Sequence, residues 1–268
     1  MAPSPKEVPM AEPIYPLFVD LSHWDSAKDY AAVKAAGIVG VIYKATEGAS
    51  YTDATYVNQR HAAKAAGLVW GAYHFADGSP VAKQVDNFLK FVAPDPDELF
   101  CLDWEDNPDG HGAMTAPDVK TWITAVENAL GREGQCVLYS GNTAKEVLGD
   151  NVDVFLGARR LWLCQYGPAP KCQKSWPTYW AWQFTDGHSG PTPHSITGIG
   201  PCDINSYVHG ATQLVAEWAT GVPAGALPVP RVAVQVLVAV PPGQDAKVRV
   251  FTPGAPAAPR QNRSKEAV

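Results

Sequence analysis

The chain has 268 residues, of which 46% are hydrophobic, and it carries a formal charge of -6 at pH 7. This length is enough to bury a large core in one or two domains. No run of clustered Lys and Arg is present, which argues against nucleic acid or an anionic membrane surface as a partner, because both attract clustered positive charge.

Targeting and redox features favour synthesis in a reducing cytoplasm. The first residues lack the basic and apolar segments of a signal peptide, and no apolar run reaches 18 residues, so we expect no membrane insertion. The five Cys are odd in number and lack CxxC spacing, which favours reduced, buried thiols, although Cys164 and Cys172 are close enough in sequence to suggest a disulfide. No His or Cys cluster has the spacing of metal ligands, so neither a metal nor a cofactor is predicted.

Residues 1–15 are rich in Pro and are expected to form an extended lead. After them, short apolar runs alternate with segments of helical periodicity. Two of the predicted helices end at a glycine, and the repeated order of strand and helix is typical of βαβ units around a parallel sheet. The predicted strands are 17–20, 38–44, 68–75, 99–105 and 135–140, and the predicted helices are 29–36, 56–66, 81–92 and 116–130.

The pattern changes after residue 160, where three further strands (161–166, 179–185 and 203–207) follow without a convincing helix. Five βα units followed by three strands make eight strands, which is enough to close a barrel. The predicted fold class is therefore α/β, an incomplete TIM-like barrel over residues 16–220.

The composition changes again near residue 220. Residues 221–231 predict a Pro/Gly/Ala linker, residues 232–252 a small β-hairpin extension, and residues 253–268 a disordered tail. An isolated hairpin is only marginally stable, and its free edges invite pairing. We therefore expect the hairpin to dock on the barrel, to mediate self-association through these strands, or to join the sheet of a partner.

Residues 100–106, FCLDWED, carry an apolar run into two carboxylates separated by one Trp. On a continued strand, Asp103 and Glu105 would point to the same face, with Cα atoms roughly 6–7 Å apart. A strand that runs out into an acidic loop is the ordinary interpretation. The alternative is a pair of carboxyl groups that share one small space for a chemical purpose.

Functional side chains of a parallel barrel lie at the carboxyl ends of its strands. The ends of the predicted strands carry acidic, basic and aromatic residues: Asp20, Lys44, Glu47, Tyr73, Asp103, Glu105, Tyr139, Trp162, Trp182 and Asp203. Taken singly, an acid is commonly a cap, a Trp a core residue, and Lys44 with Glu47 a structural ion pair. Four acids with several aromatics at equivalent points favour a site instead. Paired carboxylates ringed by aromatics suggest glycoside hydrolysis, while GxSxG, HExxH, P-loop and GxGxxG motifs are absent.

An ordered set of short motifs covers about residues 15–210. It consists of Asp20-Leu-Ser22, Lys44-Ala-Thr-Glu-Gly48, Tyr73-His-Phe75, Asp103-Trp-Glu105, Leu138-Tyr-Ser140, Trp162-Leu-Cys-Gln-Tyr166, Trp182-Gln-Phe-Thr185 and Asp203-Ile-Asn205. In this order the set resembles the glycoside hydrolase family 25 lysozymes, the muramidases of fungi, bacteria and phages.

The resemblance implies hydrolysis of the β-1,4 bond between N-acetylmuramic acid and N-acetylglucosamine in peptidoglycan glycan strands. It implies that Glu105 is the general acid/base and that Asp103 orients the substrate's 2-acetamido group or stabilises the cation directly. Asp20 and Asp203 would be the remaining acids, tuning Glu105 and binding substrate. The implied substrate-binding residues are Tyr73, Tyr139, Trp162, Trp182, Lys44 and Glu47. Because the acids are too close for an inverting enzyme, retention is expected.

The chain departs from the family pattern at Asp25, where a Gln or a similar polar residue is expected, and at Cys164, where a small residue, usually Ala, is expected. With neither a signal peptide nor wall-binding repeats, it is similar to a phage endolysin, made in the host cytoplasm and acting on the wall after release. A bacterial enzyme, a non-catalytic peptidoglycan-binding relative and a structural virion module are the alternatives.

Overall fold

The structure, a computed structural model, describes residues 14–107, 112–167 and 169–220. The predicted linker 221–231, hairpin 232–252 and tail 253–268 lie outside the described residues, as do residues 1–13 of the predicted lead. Within the described residues, no helix is both long and apolar enough to span a bilayer. All five cysteines are described and carry free thiols.

The described residues contain eleven strands and seven helices. The strands are β1 (Pro16–Leu21), β2 (Gly40–Glu47), β3 (Tyr51–Thr52), β4 (Val69–Phe75), β5 (Leu99–Asp103), β6 (Val137–Ser140), β7 (Arg160–Cys164), β8 (Ala181–Thr185), β9 (Ser195–Ile196), β10 (Gly200–Pro201) and β11 (Asp203–Ser206). The helices are α1 (Tyr30–Ala35), α2 (Tyr56–Ala65), α3 (Val81–Phe91), α4 (Ala116–Leu130), α5 (Asn142–Leu148), α6 (Val154–Gly157) and α7 (Ala211–Glu217).

Eight of these strands close into a barrel, in the order β1, β2, β4, β5, β6, β7, β8, β11 and back to β1. Neighbours from β1 to β8 are parallel, whereas β11 runs antiparallel to both β8 and β1. β3 adds an antiparallel strand beside β2. The predicted TIM-like α/β barrel is confirmed. It is incomplete at its last two strands, because no helix directly precedes β8 or β11 in the described residues and β11 runs antiparallel.

Three local predictions were wrong. β5 ends at Asp103 and not at residue 105, because the chain bends at Glu105. The helix that completes the fifth βα unit is α5, which was not predicted, and α7 contradicts the expectation of no helix after residue 160. Each of these two helices has seven residues and buries only two of them, so neither carries a clear helical pattern.

Strand alternation divides the core into two layers. One layer lies between the strands and the helices and includes Val41, Phe88 and Trp122. The other fills the barrel interior and includes Phe18, Trp162 and the α7 neighbour Trp218. A Cβ on Gly40 would lie 2.8 Å from the Trp218 ring, so glycine at the start of β2 lets α7 close the amino-terminal end of the barrel.

Candidate active site

The four predicted acids line one cavity at the opposite, carboxyl-terminal end of the barrel. The cavity has a volume of about 70 Å³, and its lining residues are Asp20, Tyr73, Asp103, Glu105, Tyr139, Trp162, Gln183 and Asp203. Asp20 lies near the end of β1, Asp103 ends β5, and Glu105 follows in the bend beyond. Because parallel strands bring their carboxyl ends to one rim, residues far apart in the chain meet here.

Asp203 reaches this rim by a different route. It is the first residue of β11, and it pairs with Asp20 across the antiparallel β1–β11 ladder. The prediction that Asp203 lies at the carboxyl end of a parallel strand is therefore wrong. The reversed direction of β11 is what brings its amino-terminal residue beside the other acids.

Glu105 is positioned by the residue before it. Trp104 is fully buried; its backbone N–H donates to the Tyr139 carbonyl at 2.9 Å, and its indole N–H donates to the Met114 carbonyl at 2.7 Å. These bonds anchor the indole in the core beneath the bend. Glu105 therefore enters the cavity from a packed turn and not from the flat face of a strand.

Burial dominates the electrostatics of the paired carboxyls. It raises the pKa of Glu105 to about 7, against the opposing positive charge of Lys44. It also raises the pKa of Asp103 well above its ordinary value, and the neighbouring charge of Glu105 raises it further. A buried carboxyl next to another acid holds its proton because the charged form loses hydration and meets a like charge. At neutral pH this pair retains at least one proton.

The other two acids are also shifted upward. Burial raises the pKa of Asp203 to about 9, and the charges of Asp20 and Asp25 contribute to the increase. Burial raises the pKa of Asp20 to about 7, although hydrogen bonds from Asn205 and Gln183 oppose the shift. The cavity therefore cannot hold four negative charges near neutral pH. The four acids share protons, and their titrations are coupled.

Two oriented amides hold the Asp20 carboxylate. Gln183 Nε2 donates to Oδ2 at 2.8 Å, and Asn205 Nδ2 donates to Oδ1 at 2.7 Å. The amide oxygen of Gln183 accepts bonds from the Tyr139 and Tyr166 hydroxyls, both at 2.9 Å, and that of Asn205 accepts the Trp162 indole N–H at 2.6 Å. Since both amide oxygens are occupied by donors, both amide nitrogens must face Asp20. The network favours an ionised Asp20.

The aromatic residues divide between the two faces of the sheet. Tyr73, Tyr139 and Trp162 line the cavity, as expected. Trp182 does not: it is 2% exposed, packs in the layer between strands and helices, and donates its indole N–H to the Gln165 carbonyl at 2.6 Å. Adjacent strand residues point to opposite faces, so the neighbouring Gln183 faces the acids in its place.

Lys44 and Glu47 lie beside the cavity and do not line it. The Lys44 ammonium bonds to the Glu47 carboxylate and lies 4.8 Å from the centre of the Phe75 ring. Asn107 donates to the other Glu47 oxygen at 3.0 Å. The ion-pair alternative is thus present, and the positive charge of Lys44 still lowers the pKa values of Asp103 and Glu105.

Three polar residues of the network were not predicted as site residues: Gln183, Asn205 and Tyr166. Each falls inside a motif already quoted, so the motifs carried the signal. Asp25 is a fifth acid near the site; its carboxylate accepts the Ser22 backbone N–H at 2.7 Å. Among the described residues, one acidic group could share a cation, Asp95, Asp97 and Glu98. It lies away from the cavity and is bound by Arg60 and Lys64.

Comparison with known proteins decides the family. The model of the family "Glycosyl hydrolases family 25" matches residues 19–192, a span that includes Asp20, Asp103, Glu105 and the aromatic lining. The chain belongs to glycosyl hydrolases family 25. This family 25 chain is therefore a glycosidase, as the motifs predicted.

Relatives of the family 25 chain include Lysozyme M1 of Streptomyces globisporus, 27% identical over 74% of this chain and 69% of the relative. The N,O-diacetylmuramidase of Chalaropsis sp is 25% identical over 75% of this chain and 98% of the relative. Among solved structures, a bacterial lysozyme from Streptomyces coelicolor superposes with a TM-score of 0.65 at 26% identity, covering 78% of this chain and 99% of that one.

Proposed function

We propose that this glycosidase hydrolyses the β-1,4 bond between N-acetylmuramic acid and N-acetylglucosamine in peptidoglycan, with retention at the anomeric carbon. One observation carries the proposal: Glu105, with its pKa raised to about 7, lies in a small cavity with three further acids, of which Asp20 and Asp103 are buried. A carboxyl that keeps a proton near neutral pH can give it to a leaving oxygen. The names lysozyme and N,O-diacetylmuramidase among the relatives support this choice of bond.

In the first step, Glu105 donates its proton to the glycosidic oxygen as the bond from C1 to that oxygen breaks. Asp103 orients the 2-acetamido group, whose carbonyl oxygen forms a bond to C1, or it stabilises the cation directly. In the second step, water attacks C1, the acetamido bond breaks, and the deprotonated Glu105 takes the proton of the water. Two displacements at C1 give net retention.

The remaining residues bind and tune. Asp20, fixed by Gln183 and Asn205, presents a carboxylate of defined orientation to the sugar. Asp203 contributes a second acid opposite Asp20, and Tyr73, Tyr139 and Trp162 form the walls of the sugar subsite. Lys44 and Glu47 act beside the subsite through the charge of their ion pair. The presence of all four acids in one cavity argues against a non-catalytic wall-binding relative.

Mass analysis of fragments released from purified peptidoglycan tests the bond. We expect new reducing ends on muramic acid, and reducing ends on glucosamine alone would contradict the proposal. Proton NMR of the first product tests the stereochemistry, since retention gives the β-anomer and inversion gives the α-anomer. Both assays use the folded Glu105→Gln variant as the inactive control.

We also propose that the activity lyses bacterial walls in the manner of an endolysin. The enzyme would be made in the cytoplasm and reach the wall after a separate pore opens the membrane. Expression in bacterial cytoplasm should then leave cells intact until the membrane is permeabilised. Lysis during expression without permeabilisation, or no lysis after it, would contradict this role.

A further inference from the structure

A second cavity opens at the barrel end away from the acids. It has a volume of about 270 Å³, and Arg160 and Tyr207 line it. Arg160 begins the parallel strand β7, and Tyr207 follows the antiparallel strand β11. Asp203 begins β11, so Tyr207 lies four residues further along the chain, roughly 13 Å away at about 3.3 Å per residue. The two cavities therefore lie near opposite ends of the barrel.

Aromatic rings form much of the wall of the second cavity, from Trp176, Tyr179, Trp180 and Tyr207. The Trp180 and Tyr207 ring centres are 6.1 Å apart, and the His209 ring lies edge-on to Tyr207 at 5.5 Å. Binding pockets for small organic molecules combine such apolar walls with a few fixed polar groups. A pyranose ring suits these walls, because its C–H faces pack on aromatic rings while its oxygens point outward.

Charges around the cavity are balanced. The buried Arg160 guanidinium donates to the carbonyls of Glu217 at 3.0 Å, Trp218 at 3.2 Å and Gln135 at 3.2 Å. The negative charge of Glu217, which also lines the cavity, acts on Arg160. Arg159 is paired with Glu127 at 2.8 Å. Because each buried cation has a nearby anion, the cavity favours a neutral ligand over a phosphate or an ammonium group.

Three residues of the cavity lining each carry a buried donor that is unpaired. Within residues 14–107, 112–167 and 169–220, the Arg160 Nε, Trp180 Nε1 and Tyr207 Oη atoms have no hydrogen-bond partner. Buried polar atoms are almost always paired in folded proteins. Three unpaired donors on residues that line one aromatic cavity point to a ligand rich in acceptor oxygens. Hydroxyl and acetamido groups supply such oxygens without adding charge.

We infer that this cavity is a second saccharide-binding site, which takes one neutral sugar ring of a glycan strand at the end of the barrel remote from the acids. Two contacts with one polymer would raise the local concentration of glycan at the enzyme. The inference rests on the proposed function only for the identity of the polymer. Sugar binding at Trp180 can be measured whether or not the acids cleave it.

The test is an NMR titration of the ¹⁵N-labelled full chain carrying Glu105→Gln, with tri-N-acetylchitotriose as the probe. The indole signals of Trp180 and Trp162 are assigned from Trp180→Phe and Trp162→Phe variants. We expect the Trp180 signal to shift saturably, with a midpoint different from that of Trp162, which reports on the acid cavity. A Trp162 shift with no Trp180 shift would overturn the inference.

A double variant, Tyr179→Ala with His209→Ala, tests the lining without changing a fully buried side chain, and circular dichroism checks its fold. We expect it to raise the Trp180 midpoint about tenfold, because it removes two rings from the cavity lining. Val208→Ala, at an exposed neighbour outside the lining, should change neither midpoint. An unchanged midpoint in the double variant, or a Trp180 shift with D-alanyl-D-alanine and not with the sugar, would overturn the saccharide assignment. No wall cleavage with an intact Trp180 shift would defeat the proposed function alone.

Discussion

The two ends of the barrel bury charge in opposite ways. At the acid end, Asp20, Asp103, Glu105 and Asp203 share about 70 Å³, and burial raises the pKa of every one of them. At the other end, the buried Arg160 has the opposite charge of Glu217 nearby and three backbone carbonyls as acceptors. Acidic groups of like charge are therefore concentrated at the end where catalysis is proposed. Groups of opposite charge lie together at the end that α7 closes.

Packed aromatic rings connect the two ends through the barrel interior. Tyr139 and Trp162 line the acid cavity with ring centres 4.6 Å apart; Phe18 lies 5.8 Å from Trp162 and 5.9 Å from Trp180. Trp180 then contacts Tyr207 in the second cavity. The same apolar interior thus keeps water from the four acids at one end and from Arg160 at the other. What differs is the sign of the neighbours, which decides whether burial holds a proton or an ion pair.

The largest expected effect is at the acid end, from the substitution Glu105→Gln. The amide cannot give a proton, so we expect a loss of about 10²–10⁴-fold in kcat, while the fold and sugar binding are kept. Turbidity loss on purified walls measures the rate, and circular dichroism checks the fold. Glu146→Gln, the same change at an exposed position of α5, should leave the rate unaltered. Wild-type lysis by a folded Glu105→Gln protein would remove Glu105 from the mechanism.

At the opposite end, Arg160→Met should act on stability. The variant deletes three charge-assisted bonds to carbonyls and removes a positive charge close to Glu217. We expect a loss of about 3 kcal/mol in the free energy of unfolding, measured by urea denaturation. Lys90→Met, which breaks an exposed i,i+4 pair on α3, should cost less than about 0.5 kcal/mol. Equal losses in the two variants would show that the buried guanidinium has no special structural role.

Asp203→Asn tests how much the acid cluster lowers the free energy of unfolding as the pH rises. The folded pKa of about 9 exceeds the ordinary 3.8, so the folded state binds more protons between these values and stability from this group falls as pH rises through that window. The Asn variant lacks this loss. Relative to wild type it should gain more than about 1 kcal/mol on going from pH 5 to pH 8, by thermal or urea unfolding.

The matched control is Asp97→Asn, whose side chain is exposed. It should show no comparable gain between the two pH values. If wild type and Asp203→Asn lose stability in parallel as pH rises, the cluster does not hold the proton that its burial predicts.

Sequence pattern was sufficient for the acids but not for the direction of every strand. Asp20 and Asp103 follow apolar runs that any buried strand would show, and the order of motifs identified the family. The direction of β11 was not predictable, since its four residues, DINS, are too few to show the continuous or alternating apolar pattern that distinguishes parallel from antiparallel strands. The misplacement of Trp182 has a related cause: a strand's register decides which of two neighbours faces inward, and a shift of one residue exchanges them.

The second cavity could not be predicted from the sequence pattern, for another reason. Its lining comes from the loop around Trp176–Trp180, the turn after β11 and the short helix α7. Loops have no hydrophobic period, and a helix of seven residues has too few turns to show one. The pairing of Arg160 with the carboxyl end of α7 follows from closure of the barrel. It becomes visible only once the strands are in place.

The smallest expected effect concerns Lys44, a cation that acts on both paired acids. Lys44 lowers the pKa of Glu105, whereas burial raises it. Lys44→Met therefore removes a positive charge from the end of the barrel where the acids are concentrated. Glu105 must be protonated to act, and activity is lost as pH rises through its pKa of about 7. Without Lys44 the pKa rises, so the alkaline limb of kcat/KM should move to higher pH by roughly one unit. Lys44→Arg keeps the charge and should leave the limb in place. A limb that moves to lower pH in Lys44→Met, or that moves equally in both variants, would show that Glu105 does not set it.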